Sequence, residues 1–158
     1  MTDSTDMATK TLFSPWDMEV AAVNFDAACG HGALAAAVGC QVCYAMQYFG
    51  AGGWVNIPMM KSALAHANVC FDSVDGWDQT GACAVTMIQF LGPWMNPGVP
   101  VAARCQHRHW VATREGMVWD CNTGKWQTRE EWEKEVPPLL MPKRGTGFQA
   151  TRSFVFPF

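Results

Sequence analysis

Small and apolar residues dominate the chain from Cys29 to Gly50, and within that run Leu34, Val38, Val42 and Met46 recur at every fourth position. The period is helical. Because the positions between are mostly Ala, Gly or Cys rather than charged, the helix is predicted to be central and buried nearly all round. Asp26 stands where it can help cap the start, and Gly50 is placed to end it. Before it, "MEVAAVNF" (18–25) reads as a short extended entry segment. After it, "NIPMMKSALAHAN" (56–68) reads as a second helix, with Pro58 in the first turn, where a missing N–H is harmless.

Strand patterns follow. "VCFDSV" (69–74) reads as a short strand, and "ACAVTMIQFLG" (82–92) as a buried one, bounded by Gly81 and by Gly92–Pro93. "HWVATREGMVWDCN" (109–122) is two strands joined across "TREG", with Gly116 placed for a left-handed turn. Thr128 and Glu131 form a capping-box pattern opening "REEWEKEV", a solvated helix with Trp132 turned inward and Pro137–Pro138 stopping it. "ATRSFVF" (150–156) is the final strand. Helices first and strands later point to an α+β fold. The polar, acidic residues 1–14 are expected to form a flexible tail, and 15–158 a single domain.

Composition narrows the function classes. At 158 residues the chain can bury a core without staples, and with 16% charged residues it is not disordered as a whole. A net charge of −3, with only Lys143 and Arg144 adjacent among the basic residues, argues against nucleic acid as a partner. The longest low-charge run, 27–60, is interrupted by glycines and glutamines and does not read as a membrane span. "MTDSTDMATK" lacks a basic flank followed by an apolar core, so the expected location is the cytoplasm. Seven cysteines, an odd number without a secretory signal, favour free thiols.

One of those thiols stands apart. Cys29 sits where the central helix begins, facing the positive end of the helix dipole, and Gly30 keeps the backbone beside it uncrowded. A substrate carbonyl could there approach the Cys29 amide as an oxyanion donor. The base and its orienter are offered by the hairpin: His109 on one arm and Asp120 on the other, roughly opposite across a reversal near Arg114–Glu115. Cross-strand neighbours have Cβ atoms about 4.5–5.5 Å apart, which suits a carboxylate holding an imidazole in one tautomer. Asn122, two residues on, is the rival for the third position.

These segments resemble a known family. "ACGHGALAAA" is similar to the Cys-Gly-x-x-Ala-Leu helix start of the peptidase C39-like branch of papain-like cysteine peptidases. "HWVATREGMVWDCNTGKWQTREEWEKEV" resembles their His-strand, hairpin, Asp-strand and following helix. The resemblance spans about 29–134, with an unmatched middle. It implies a papain-like fold, a central N-terminal helix on a small antiparallel sheet, and a thiol hydrolase with Cys29 as nucleophile, His109 as base and Asp120 as orienter. Its substrate would be a peptide or protein, cleaved at a peptide, isopeptide or amide bond. No cofactor and no metal are implied. The glutamine that usually precedes the family's cysteine and completes its oxyanion hole is lacking; Asn24 is the only amide nearby. The alternative function is a catalytically inactive papain-like binding protein, phage-like or host-interacting.

Other candidates read more plainly. Cys40 and Cys43 fall mid-helix in the predicted elements and are taken as core rather than a CxxC site, as are Cys70, Cys83 and Cys121. Cys105, His107 and His109 alternate onto one strand face and could hold zinc with Cys121 or Asp120, but the spacing matches no familiar zinc site. His31 is read as a cleft-edge or surface residue, and Trp94, in the Gly-Pro loop, as a residue lining the substrate groove.

Overall fold

The computed structural model describes residues 12–157. Its axis is strand β2 (Cys83–Leu91), buried along eight consecutive residues because both faces of the sheet are covered. β1 (Asp72–Asp75), β3 (Arg108–Arg114), β4 (Met117–Asp120), β5 (Lys125–Thr128) and β6 (Gly147–Phe156) complete an open sheet of order β1-β6-β2-β3-β4-β5, every pair antiparallel. Six α-helices accompany it among the described residues: α1 (Met18–Phe25), α2 (Cys29–Val38), α3 (Val42–Ala45), α4 (Ile57–His66), α5 (Val101–Cys105) and α6 (Arg129–Leu140). The class is α+β. None of these helices is long and apolar enough to cross a membrane.

Two cores result. On one face α2 and α4 bring Leu34, Ala37, Met60 and Leu64 onto Val85, Met87, Trp110, Ala112 and Trp119. On the other, α6 brings Trp132 and Val136 onto Ile88, Val111 and Val118. The period-2 alternation of β3 and β4 makes this division. β6 gives Phe154 and Phe156 to the first face but Phe148 and Ala150 to the second, although all four positions are even. A bulge explains it. Met87 pairs with Arg152 while Ile88 pairs with Ala150, so Thr151 is an extra residue that reverses the faces.

The hairpin, the Thr128 cap and the buried strand stand where their patterns place them. Glu115 (φ 51°) and Gly116 (φ 76°) make the tight turn, and Thr128 Oγ1 accepts the Glu131 N–H at 3.2 Å. Asn56 caps α4 by accepting the Met59 N–H at 2.8 Å.

Elsewhere the predicted elements change. Residues 18–25 are helical rather than extended, with only Ala21 buried; the apolar Val20, Val23 and Phe25 face outward. The helix predicted over 29–50 ends at Val38, where Gly39 turns left-handed (φ 82°). A new helix starts at Val42 because the Asp17 carboxylate accepts the Val42 and Cys43 N–H groups at 2.7 and 2.8 Å. Asp26 does not cap α2; it is the left-handed C-cap of α1. Helix α6 runs through Pro137–Pro138 to Leu140, since Val136 and Pro137 are buried and packing holds that turn. Residues 1–11 lie outside the described residues. Phe13 and Ser14, at the end of the expected tail, are tied down: the Phe13 carbonyl accepts from Trp126 Nε1 at 2.8 Å, and Ser14 Oγ accepts from Trp119 Nε1 at 2.9 Å.

The loop after the 3₁₀ turn at Met46–Tyr48 folds back onto the start of α2. The Gly53 N–H donates to the Asp26 carbonyl at 2.6 Å. A side chain at Gly52 would collide with the Phe25 carbonyl oxygen, and one at Gly30 with Val55 Cβ at 2.6 Å. Both glycines are demanded by close approach. Gly52→Ala should lower stability by about 2 kcal/mol through overpacking against backbone, read as a lower urea midpoint; an unchanged midpoint would show that this loop is not clamped.

Candidate active site

Cys29 is the first residue of α2, and nothing in its local sequence could cap that helix in the usual way, since the N-cap is Ala28. The capping acceptor comes from within. His31 Nδ1 accepts the Ala28 N–H at 2.9 Å, which is the returning half of a capping box. A backbone N–H only donates, so the His31 proton sits on Nε2, which donates to the Ala51 carbonyl at 3.1 Å. His31 is fully buried rather than at a cleft edge or the surface. Burial pulls its pKa down, partly countered by the Ala51 bond, and the neutral ring is the form this geometry needs. One side chain thus pins both the start of the helix that carries Cys29 and the loop facing it.

His109 and Asp120 meet as the hairpin predicts. His109 Nε2 lies 2.7 Å from Asp120 Oδ2. The remaining ring nitrogen, Nδ1, is the one left for the Cys29 thiol, with which His109 also hydrogen-bonds. Asp120 is wholly buried and His109 nearly so, at 0% and 6% exposure. Trp132 Nε1 donates to Asp120 Oδ2 at 2.9 Å, and the Asn122 N–H and Nδ2 both donate to Oδ1 at 2.9 Å. Asn122 therefore orients the carboxylate, and Asp120 holds the third position.

The electrostatics follow from these contacts. Burial disfavours charge on all three groups, but the hydrogen bonds override it. Bonds to Asp120 and Cys29 raise the His109 pKa to about 10. Bonding and attraction to His109, together with a hydrogen bond from the Trp110 N–H, bring Cys29 below its ordinary value. Asp120 is held below the usual carboxylate value by His109, Trp132 and Asn122. The three shifts run in concert, toward thiolate on Cys29, imidazolium on His109 and carboxylate on Asp120. The stabilisation from a raised His109 is complete below pH 6.5, the ordinary imidazole value, and is lost as pH rises through about 10. That from Asp120 is complete above 3.8 and is lost as pH falls through its lowered pKa.

Four thiols, Cys40, Cys43, Cys83 and Cys121, are moved the opposite way. Burial raises Cys40 to about 11 and also raises Cys83. Cys43, bonded to Asp17, is raised as well. The placement of Cys40 and Cys43 in the middle of one long helix is not what forms. Cys40 lies in the bend between α2 and α3, and Cys43 is the second residue of the four-residue α3. Both are half-buried, and all seven cysteines are free. Cys121 lies beside the site, not in a strand, and burial with the Asp120 and Cys29 charges pushes its thiol up.

The zinc grouping read from the sequence is not assembled. His107 stacks on Trp94 with ring centroids 3.9 Å apart. Donor atoms of His109, Asp120 and Cys121 do lie within 4.8 Å of one another. Both Asp120 oxygens are already occupied by donors, however, and a cation would have to displace His109 or Trp132.

Cys29 opens on a cleft of about 420 Å³ between the 54–56 loop and the β2–β3 strands. Trp94 is not among its lining residues; its Nε1 donates to the Phe90 carbonyl at 2.7 Å and anchors its own loop. Asn24 is exposed in the last turn of α1 and does not line the cleft either. Sequence reasoning missed His31; its signal was a histidine at the third helical position behind an N-cap without an acceptor.

Iodoacetamide should alkylate Cys29 at pH 6.5 ahead of Cys40, Cys43, Cys83 and Cys121, whose thiols are pushed up, with the order read by peptide mass mapping. Asp120→Asn should move the pH midpoint of Cys29 labelling up toward the value of about 8.5 of a free thiol. A midpoint unmoved by that change would remove Asp120 from control of the thiol. No known family, curated protein or solved structure matches this chain, so the meaning of the site rests on the chemistry of its own residues.

Proposed function

We propose that the protein is a thiol hydrolase of papain-like type that cleaves an amide, peptide or isopeptide bond through Cys29, His109 and Asp120. The observation that carries this reading is one hydrogen-bonded chain, Cys29–His109–Asp120, whose thiol opens on an unfilled cleft.

The Cys29 thiolate attacks the carbonyl carbon, and the carbonyl electron pair moves onto oxygen. The Cys29 backbone N–H, in the unbonded first turn of α2, faces that oxyanion as a donor. The His109 imidazolium gives its Nδ1 proton to the departing amine, and a thioester on Cys29 remains. Neutral His109 then takes a proton from water, whose oxygen attacks the thioester. Collapse releases the acid and returns the thiolate–imidazolium pair. Asp120 keeps Nε2 protonated throughout and favours the imidazolium, while Trp132 and Asn122 hold the carboxylate in place.

The resemblance of residues 29–134 to C39-like peptidases supports the same assignment, and the α+β architecture accords with it. An inactive binding protein on this scaffold gains no support from an open cleft and a thiol bonded to its base. The cytoplasm remains the proposed place of action, with a peptide or protein as substrate.

Incubation with a mixed-sequence peptide library, followed by mass spectrometry of new termini, should show cleavage that Cys29→Ala abolishes. Asp120→Asn should retain the fold yet reduce the rate by about 10⁴-fold, the scale of losing the orienting carboxylate in a triad. Cleavage of the same bonds by Cys29→Ala would overturn the assignment.

A further inference from the structure

The cleft beside Cys29 holds a charged group that amide hydrolysis itself does not call for. Its walls are chiefly apolar, built by Trp54, Val55, Met87 and Trp110, and Arg108 joins them from β3. Arg108 and Trp110 are two apart on one strand and so face the same side. Trp54 is 67% exposed, which leaves one wall of the cleft reachable from solvent.

Arg108 is held in a set orientation. Its Nε donates to Gln89 Oε1 at 2.9 Å, across the β2–β3 ladder where the two residues are direct partners. Gln89 is 1% exposed, and its Nε2 faces three carbonyl oxygens: Phe90 at 3.0 Å, Arg104 at 2.9 Å and His107 at 3.2 Å. Only the nitrogen end of an amide donates, so these carbonyls fix which way Gln89 is flipped and leave Oε1 facing the guanidinium. A buried amide with this wiring serves to aim the arginine.

Among the described residues the guanidinium meets no carboxylate counter-ion; the ion pairs there involve His109, Arg129 and Lys134. A half-buried cation on an apolar wall is ordinarily paired or hydrogen-bonded to a charge. The rest of the Arg108 fork is free to make the bidentate contact that fits a carboxylate.

We propose that Arg108 is the specificity-determining residue of this cleft, and that it recognises a carboxylate on a substrate whose adjoining bulky apolar group lies between Trp54 and Trp110. The substrate class is an amide whose residue next to the scissile bond combines a large apolar side chain with a free carboxylate. This rests on the reading of Cys29 as the nucleophile, which places the reacting carbonyl at the mouth of the same cleft.

The test uses two alkylating probes of one shape, N-iodoacetyl-phenylalanine as the free acid and as its carboxamide, each normalised to its rate with free cysteine. On the wild-type protein the acid should label Cys29 roughly tenfold faster than the amide, the scale of one hydrogen bond to a charged group. In Arg108→Gln the acid-to-amide ratio should fall to about one, and Arg108→Lys should recover part of it. Equal labelling of the wild type by acid and amide, or a ratio unchanged in Arg108→Gln, overturns the proposal. Titration with N-acetylphenylalanine and its amide, followed by NMR, needs no reactive thiol. Preference for the acid that depends on Arg108 supports the carboxylate site even if Cys29 labels no faster than its fellow cysteines, a result that would sink the hydrolase reading alone. Indifference to the carboxylate in that titration sinks the site.

Discussion

A single ionised carboxylate, Asp120, sits at 0% exposure and has to be satisfied from within the protein. An unpaired charge at such a place costs several kcal/mol even after relaxation. Its partners come from three separate elements: the imidazole of His109 from β3, the indole of Trp132 from α6, and the backbone and side chain of Asn122 from the turn after β4. The register of the hairpin, the docking of α6 on the second face of the sheet and the shape of that turn must therefore all agree at one atom pair. Trp132 belongs at once to the apolar core and to this polar cluster. The proposed chemistry and the packing of that face draw on the same side chain.

The thiol is recruited by an absence in the sheet. β4 stops at Asp120, and its last pairing with β3 is Ala112 with Trp119. Continued register would set Cys121 opposite Trp110, and there the ladder is already over. Trp110 is paired with Met87 of β2 but with no residue of β4, and its N–H donates to Cys29. The N-terminus of α2 fills the gap beyond the end of β4, held from above by His31 and by the loop around Gly52 and Val55. Two neighbouring thiols then diverge by environment alone. Cys29 faces the His109 ring and the Trp110 N–H, which bring its pKa down, while burial and the nearby carboxylate push Cys121 up.

What could be read from the sequence is what depends on near neighbours. His109 and Asp120 are eleven residues apart in one hairpin, so turn chemistry and alternation suffice to bring them together. The Thr128 cap on the Glu131 N–H is equally local. The break after Val38 is not, because the carboxylate that starts α3 belongs to Asp17, 25 residues away. Helix α1 turns its valines and Phe25 outward, and an apolar pattern cannot report a helix that buries so little. Trp94 has the chemistry of a cleft residue, aromatic and in a loop, yet its own Phe90 carbonyl and His107 claim it. The cleft is built instead from Trp54 and from Arg108, whose pairing with Gln89 depends on a strand register that neither segment reveals by itself.

The central claim is that Asp120 keeps His109 charged between itself and a thiolate. Nitrogen-15 NMR of histidine-labelled protein reads the protonation of each imidazole nitrogen directly. Both ring nitrogens of His109 should remain protonated from neutrality upward until the pH approaches about 10, and Asp120→Asn should bring that transition down by more than one pH unit, roughly the weight of a charge-assisted hydrogen bond. A His109 ring already neutral at pH 7 in the wild-type protein would contradict the account.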